Sequence, residues 1–405
     1  MRTIIVVGAG ASGMLAAITA RKQGAYVTLL EQNAKVGKKI LSTGNGRCNF
    51  TNFTQEPLFY HSDNPSFPWE IIERFTMKDT LRFFHELGIY SKNRNGYMYP
   101  NSEQATSILE ALSLCIAKLQ IPVITEAKVQ EITYEANWFQ VQTSDKTYTV
   151  QRVILACGSK ASQVSGADGS GYALASKFGH SLIPVLPALV QLKCAENFYK
   201  HLAGVRAQGR VSLFVEDEFV VAERGELQLT KYGISGIPVF QISRYASIAR
   251  YEKREVYASI DFMQHFSLEQ LYDFLKMRSV DLSYRFVETF LLGVLPSKLG
   301  EVVLTRCNID TQKQITELTE VELHALAEMM KCFKTTIIDT NPYEQAQVCR
   351  GGVNTEEVHV ETLESKRIPG FYFAGEILDV DGMCGGYNLQ WAWSSGYVAG
   401  IEAAK

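Results

Sequence analysis

Residues Gly8-Ala9-Gly10-Ala11-Ser12-Gly13 spell G-x-G-x-x-G between two segments of opposite periodicity. Thr3 to Val7 is a short apolar run of the kind that forms a fully buried strand, and Met14 to Gln23 repeats small and apolar residues at helical spacing. Gly24 ends the helix, Tyr26 to Leu30 is a second short strand, and Glu31 closes it. Strand, glycine motif, helix, strand and acid in that order specify a βαβ dinucleotide unit. Gly8 permits the tight turn, Gly10 lets backbone approach a diphosphate, and Gly13 lets helix and sheet pack closely. The diphosphate would lie on the free N–H groups of Ala11, Ser12 and Gly13, where the helix dipole favours negative charge. Glu31, with Gln32 beside it, is placed to receive the ribose hydroxyls, and its charge disfavours a 2′-phosphate. The motif alone does not separate FAD from NAD.

The next stretch of the chain favours FAD. Gly37-Lys38-Lys39 and then Thr43-Gly44-Asn45-Gly46-Arg47-Cys48-Asn49-Phe50-Thr51-Asn52 form a polar, glycine-rich segment soon after the ribose acid, for which an NAD dehydrogenase has no use. In FAD proteins of the glutathione-reductase type this part of the chain runs along the ribityl and flavin side of the cofactor. Gly44 and Gly46, flanking Asn45, allow backbone contact with the isoalloxazine plane. Arg47 supplies a positive charge that would stabilise the reduced, anionic ring. Lys38 and Lys39 read either as phosphate contacts or as a solvated pair.

The T-G-x-G-R-C-N-x-T-N string resembles the signature of the BaiN/RdsA-type NAD(P)/FAD-dependent oxidoreductases, a bacterial family of two-dinucleotide-fold flavoproteins. The resemblance recurs at Gly351-Gly352-Val353, from Gly370 through Ala374-Gly375-Glu376 to Gly382, and at Gly385-Gly386-Tyr387-Asn388-Leu389-Gln390-Trp391-Ala392, so it spans both ends of the chain. Met383-Cys384 departs from the family pattern. The resemblance implies that Glu376, after Gly375, holds a ribityl hydroxyl, and that Gly386, Tyr387, Asn388 and Leu389 begin a last helix aimed at the flavin N1/C2 edge. Cys157-Gly158-Ser159 with Asp168-Gly169 resembles the family's third contact with the dinucleotide. With Val129, these complete the expected FAD contacts, and Arg47, Asn45 and Asn388 are the groups expected beside the reacting ring. The resemblance also implies reduction of conjugated carbon–carbon double bonds, such as those of 3-oxo steroids or bile-acid-like compounds.

The chain of 405 residues is long enough for two or three domains, and a 46% hydrophobic, 20% charged composition is that of a globular protein. The fold class read here is α/β: a Rossmann-type FAD-binding domain, glutathione-reductase-like, split by an inserted β-rich and helical domain. The expected boundaries are 1–188 and 341–405 for the FAD domain and 189–340 for the insertion, a substrate or lid module. Helices are expected at Ile71–Glu86, Gln104–Leu119, Ser267–Lys276, Arg285–Leu295, Glu320–Cys332 and from Leu389 to Ala404. Val123 to Val150 reads as antiparallel strands. Val190 to Met263 reads as short β-runs broken by glycines.

A net charge of −3, with Lys and Arg scattered among nearly equal numbers of acids, offers no footprint for nucleic acid. The eight cysteines include no C-x-x-C pair and do not cluster with His, so neither a disulfide framework nor a metal site is expected. With no signal peptide and no long apolar stretch, the expected place is the cytoplasm, unanchored.

Several conspicuous residues have plain readings. Asp379 and Asp381 read as turn residues rather than catalytic acids. Cys48 and Cys384 read as small packing residues rather than a redox pair. Trp391 and Trp393, two apart on one helix, face different ways and read as packing. Tyr232 and His265 are substrate contacts only if the insertion reaches the flavin. The expected function is hydride transfer from NAD(P)H through flavin N5 to an organic acceptor, and with no second G-x-G-x-x-G the nicotinamide would bind transiently. The alternatives are a flavin-dependent RNA-modifying enzyme and a flavin-binding sensor without turnover. Oligomeric state is not legible.

Overall fold

The computed structural model describes residues 1–162 and 166–405. Thr3–Val7 lies at the centre of a five-stranded parallel sheet, in the order Phe371–Phe373, Arg152–Leu155, Thr3–Val7, Tyr26–Leu30, Val123–Ile124. Its strands are continuous apolar runs because helices cover such a sheet on both faces. The first helix, Ala11–Lys22, is buried from Ser12 to Ala20 and so carries almost no amphipathic pattern. The strand that pairs with Thr3–Val7 on its far side, and the strand beyond it, come from residues 152–155 and 371–373. Sequence-distant segments thus complete one Rossmann-type sheet.

Two compact units result. Residues 1–186 with 343–405 form the first, and residues 187–342 form the second. The first has one apolar core around the parallel sheet, and the second has its own core. In the second unit six antiparallel strands close into a barrel, in the order Leu192–Cys194, Gly233–Ser235, Glu218–Thr230, Arg206–Val215, Val256–Asp261, Phe333–Thr340. Closure removes open strand edges.

Several expected elements come out differently. Ile71–Glu86 is not one helix: Phe67–Ile72 and Met77–Glu86 are separate, because Thr76 adopts extended backbone and forms a capping box with Asp79. Arg285–Leu295 is not a helix either, and holds only a single 3-10 turn at Val287–Thr289. Ile237–Tyr251 is a helix inside the stretch read as β-rich. Its aromatic and β-branched residues mimic a strand, but Val239, Ile242, Ala246 and Ala249 are buried at helical spacing. Ser297–Arg306 is a further helix that the periodicity did not reveal. Val123–Ile124 joins the parallel sheet, while Val129–Glu135, Trp138–Thr143 and Thr147–Val150 form the expected antiparallel meander.

The last helix, Tyr387–Ala404, lies directly on the first. A Cβ on Gly396 would come within 2.4 Å of the Ser12 carbonyl oxygen, and one on Gly400 within 2.5 Å of that of Ala16. Backbone contact this close needs glycine on one side, and it brings the chain's two ends together beside the dinucleotide motif.

Candidate flavin site

The G-x-G-x-x-G turn is built by exclusion of side chains. Gly8 has φ of +104°, and a Cβ there would sit 2.5 Å from the Ala156 carbonyl oxygen. A Cβ on Gly13 would sit 1.9 Å from the Gly8 carbonyl oxygen, so both positions are closed to any side chain. Gly10 is different: it has an ordinary φ of −84° and nothing lies within 4 Å of its Cβ position. The open space is therefore in front of Gly10, at the start of the first helix, which no side chain caps. Gly158, at φ +71°, borders open space in the same way.

Around this opening the predicted residues take definite places. Glu31 is buried, its carboxylate accepting from the backbone N–H of Ala9 (2.9 Å) and from the backbone and side chain of Asn33 (2.9 and 2.6 Å). These bonds hold the acid at the end of its strand, next to the glycine turn. Val129 follows the segment that pairs with Glu31, since Ala127 donates to the Glu31 carbonyl at 2.9 Å. Gln32 donates to the Gly166 carbonyl. Lys38 donates to Asn33 Oδ1 at 3.2 Å, and Lys39 forms a 2.5 Å ion pair with Glu376, so neither lysine is simply solvated. The other Glu376 oxygen accepts from the Cys349 N–H at 3.2 Å. Cys157 packs at the strand–helix junction, its thiol donating to the Val7 carbonyl and pushed up to about 12 by burial.

The stretch from residue 44 to 48 folds as a tight loop in which Gly44, Asn45, Gly46 and Cys48 all have positive φ. Asn45 lies at its tip and Arg47 is exposed on it. Burial raises the Tyr99 phenol above its ordinary pKa, and the nearby Arg47 guanidinium opposes the shift. Beyond the loop, residues 50–52 are strapped to the last helix. Trp393 Nε1 donates to the Phe50 carbonyl (2.8 Å), Thr51 Oγ1 donates to Gln390 Oε1 (2.6 Å), and Asn52 Nδ2 donates to the Gly385 carbonyl (2.9 Å). Trp391, facing the other way, donates to the Gly375 carbonyl at 3.1 Å. Gly386, at φ +96°, starts the last helix with no side-chain cap. Tyr387 is buried against Phe59 and Tyr60, and Leu389 packs on the core.

The Asn388 amide, expected beside the reacting ring, is engaged within its own segment: Oδ1 accepts from the Gly382 N–H (2.8 Å) and Nδ2 donates to the Gly382 and Met383 carbonyls (2.7 and 3.3 Å). Its work is to hold the turn before the helix. Asp379 lies in a bend, but Asp381, expected in a turn, begins the short strand Asp381–Gly382, and both acids are buried, 0% and 2% exposed. Asp379 Oδ2 accepts from the Asp63 N–H (2.8 Å) and the Ser62 hydroxyl (3.3 Å), and Asp381 pairs its backbone with His61. Asn49 and this acid-bearing segment are the residues that spacing alone did not single out. In the second unit Tyr232 is partly buried and His265 is exposed.

Residues 2–402 match the family model described as HI0933-like protein Rossmann domain. The chain belongs to the HI0933-like family. It is similar to the 3-dehydro-bile acid delta(4,6)-reductase of Clostridium scindens, with 43% identity over all of both chains, and to the ribosomal RNA dihydrouridine synthase of Haemophilus influenzae, with 31% identity over 99% of this chain and 98% of that one. Among solved structures, the 3-ketosteroid delta1-dehydrogenase of Sterolibacterium denitrificans shares the fold at a TM-score of 0.51 and 11% identity, over all of both chains. This HI0933-like chain is thus a Rossmann-type flavoprotein oxidoreductase.

The residues present fit FAD. The open space at Gly10 lies before an uncapped helix N-terminus, Glu31 is fixed at the end of the second strand, and a second uncapped helix N-terminus is brought to the 44–52 segment. Cys48 is fully buried, and burial pushes the Cys48 and Cys384 thiols up to about 12 and about 11, which leaves little thiolate for redox chemistry. At about pH 8 a thiol reagent is expected to modify exposed Cys332 quickly and Cys48 and Cys157 only after unfolding, since thiolate is the reacting form. Rapid native-state labelling of Cys48, followed by mass spectrometry, would contradict the closed loop.

One feature of this HI0933-like chain imitates a hydrolase. Ser365 Oγ lies 2.7 Å from His180 Nε2, and His180 Nδ1 lies 3.1 Å from Glu357. It is a structural pin, because Ser365 and His180 are buried and the serine oxygen already accepts from the N–H groups of Arg367 and Ile368 at 3.0 Å each. Burial also lowers the His180 pKa, disfavouring the charged ring. Among the described residues no helix is long and apolar enough to cross a membrane.

Proposed function

We propose that this protein reduces a carbon–carbon double bond conjugated to a carbonyl, in a 3-oxo steroid or bile-acid-like compound, with NAD(P)H as donor. The observation that carries the reading is the full-length 43% identity to a 3-dehydro-bile acid delta(4,6)-reductase, joined to a fold that brings both flavin-contacting segments together. Bound FAD would supply the two-electron relay between donor and acceptor, which no side chain of the chain offers. Gly10, Ala11, Ser12 and Gly13 would hold its diphosphate, Glu31 its ribose, Glu376 with Lys39 its ribityl chain, and residues 386–389 its pyrimidine edge.

The chain's own contribution is orientation and charge. The Arg47 guanidinium would favour negative charge arising beside the loop, and the first N–H groups of the last helix would favour it at their own end. Arg47→Ala is therefore expected to lower the flavin midpoint potential by on the order of 20 mV, the two-electron equivalent of about 1 kcal/mol for a charge near water. Spectroelectrochemistry measures this, and an unchanged potential removes Arg47 from the ring. Anaerobic mixing with NADH and with NADPH, followed by a 3-oxo-Δ4,6 steroid, tests the reaction as a whole. Failure of both donors to bleach the flavin eliminates them, and failure of the steroid to restore the colour eliminates that acceptor.

A second reading rests on the 31% identity to a ribosomal RNA dihydrouridine synthase, whose product likewise differs from its precursor by a saturated ring double bond. A near-neutral chain of net charge −3 does not favour a phosphate-tracking surface. Absence of salt-sensitive ribosomal RNA binding dismisses it. The sensor reading without turnover has no observation on its side.

A further inference from the structure

Between the 44–48 loop and the last helix lies a side chain whose polar group is left over. Phe50, Thr51 and Asn52 each make a hydrogen bond to the last helix or to Gly385 just before it, so this segment is satisfied almost completely. Asn49 is the exception. The residue is 8% exposed, yet Oδ1 accepts no hydrogen bond. An amide left in this state costs about 1–3 kcal/mol, so a partner is expected.

The surroundings define what that partner is. A Cβ on Gly386 would come within 2.9 Å of Asn49 Oδ1 and 2.7 Å of the Thr51 carbonyl group, so Asn49 stands at the uncapped start of the last helix. A Cβ on Gly44 would come within 2.9 Å of the Asn49 backbone nitrogen, so the same residue also backs the glycine loop. Asn49 therefore joins the two segments to which the flavin reading assigns the ring, although they are far apart in sequence. A carboxamide offers an acceptor and a donor side by side. The pyrimidine edge of an isoalloxazine offers a matching set, an N3–H flanked by two carbonyl oxygens, and the amide can turn end for end to meet it.

We propose that the Asn49 amide recognises the pyrimidine edge of the flavin at N3–H, as a positioning residue that ties the ring to the start of the last helix. The inference rests on the flavin reading above and adds a specific contact to it. Satisfying a buried amide at this point would favour flavins with a free N3–H and reject those that lack it.

The test uses the full-length chain freed of flavin and reconstituted with FAD or with 3-methyl-FAD, binding being followed by flavin fluorescence and visible absorbance rather than turnover. The unaltered protein is expected to bind FAD at least about tenfold more tightly than 3-methyl-FAD. Asn49→Ala is expected to weaken FAD binding about tenfold and to reduce the preference to within about threefold. Asn49→Asp keeps an acceptor for N3–H and is expected to retain the preference, which separates recognition from mere folding. Equal binding of the two flavins by the unaltered protein, or an undiminished preference in a folded Asn49→Ala protein, overturns the assignment to Asn49 while leaving the flavin site standing. Binding of neither flavin by the unaltered protein overturns the flavin reading and this inference with it.

Discussion

Replacing Gly13 with alanine is expected to yield protein that is poorly folded and colourless, whereas the same change at Gly10 yields folded protein that holds FAD weakly. The difference lies in what the added methyl group meets. At Gly13 it would be 1.9 Å from the Gly8 carbonyl oxygen, and relief requires parting the first helix from the sheet. Ordinary overpacking costs about 1–3 kcal/mol because side chains yield, so this contact with main chain should cost more. At Gly10 the methyl group enters open space and φ is already suitable for alanine, so the flavin-free protein should match the original to within about 0.5 kcal/mol. It should nevertheless block the approach of a diphosphate and weaken FAD binding about tenfold or more. Thermal melts of the flavin-free proteins together with FAD titrations separate the two effects. Normal flavin content in Gly13→Ala would mean the turn is not closed as described, and normal affinity in Gly10→Ala would mean the diphosphate lies elsewhere.

The second large effect is expected at Trp393, which is fully buried, meets Phe84 edge-on at 5.1 Å and donates to the Phe50 carbonyl at 2.8 Å. Trp393→Ala empties a large volume and leaves that carbonyl without a partner, a loss of about 3–5 kcal/mol from the first unit. Its melting temperature should fall by on the order of 10 °C. Trp393→Phe keeps most of the ring and loses only the donor, for about 1 kcal/mol. Because Phe50 adjoins Asn49 and Thr51, the alanine variant should also lose flavin at temperatures below its own unfolding. Equal stability of the alanine and phenylalanine variants would show that the packed ring contributes little.

Local elements are legible in the sequence where their signal lies within a dozen residues. The βαβ unit needs only two apolar runs, a helical repeat and three glycines, and each of these is set by backbone sterics at its own position. Sequence reading fails where a local pattern points one way and packing another. Thr76 reads as one more residue of an amphipathic helix until Asp79 closes a capping box around it. Ile237–Tyr251 is rich in strand-forming residues, yet it is helical with its apolar positions buried in the core of the second unit. The acids at 379 and 381 read as a turn because Asp and Gly favour one, and nothing local indicates that both are buried or that Asp381 begins a strand.

The candidate site divides along the same line. Glycine spacing and the acid after the second strand were enough, from the amino-acid sequence, to establish a nucleotide-binding βαβ unit, since turn conformation and helix-end charge are properties of a few consecutive residues. Only the tertiary structure could show that Asn388 is spent on its own turn, that Lys39 meets Glu376, and that the Asn49 carbonyl is left over at the start of the last helix. The last two outcomes depend on contacts between segments more than three hundred residues apart, where shape and burial decide which polar groups find partners.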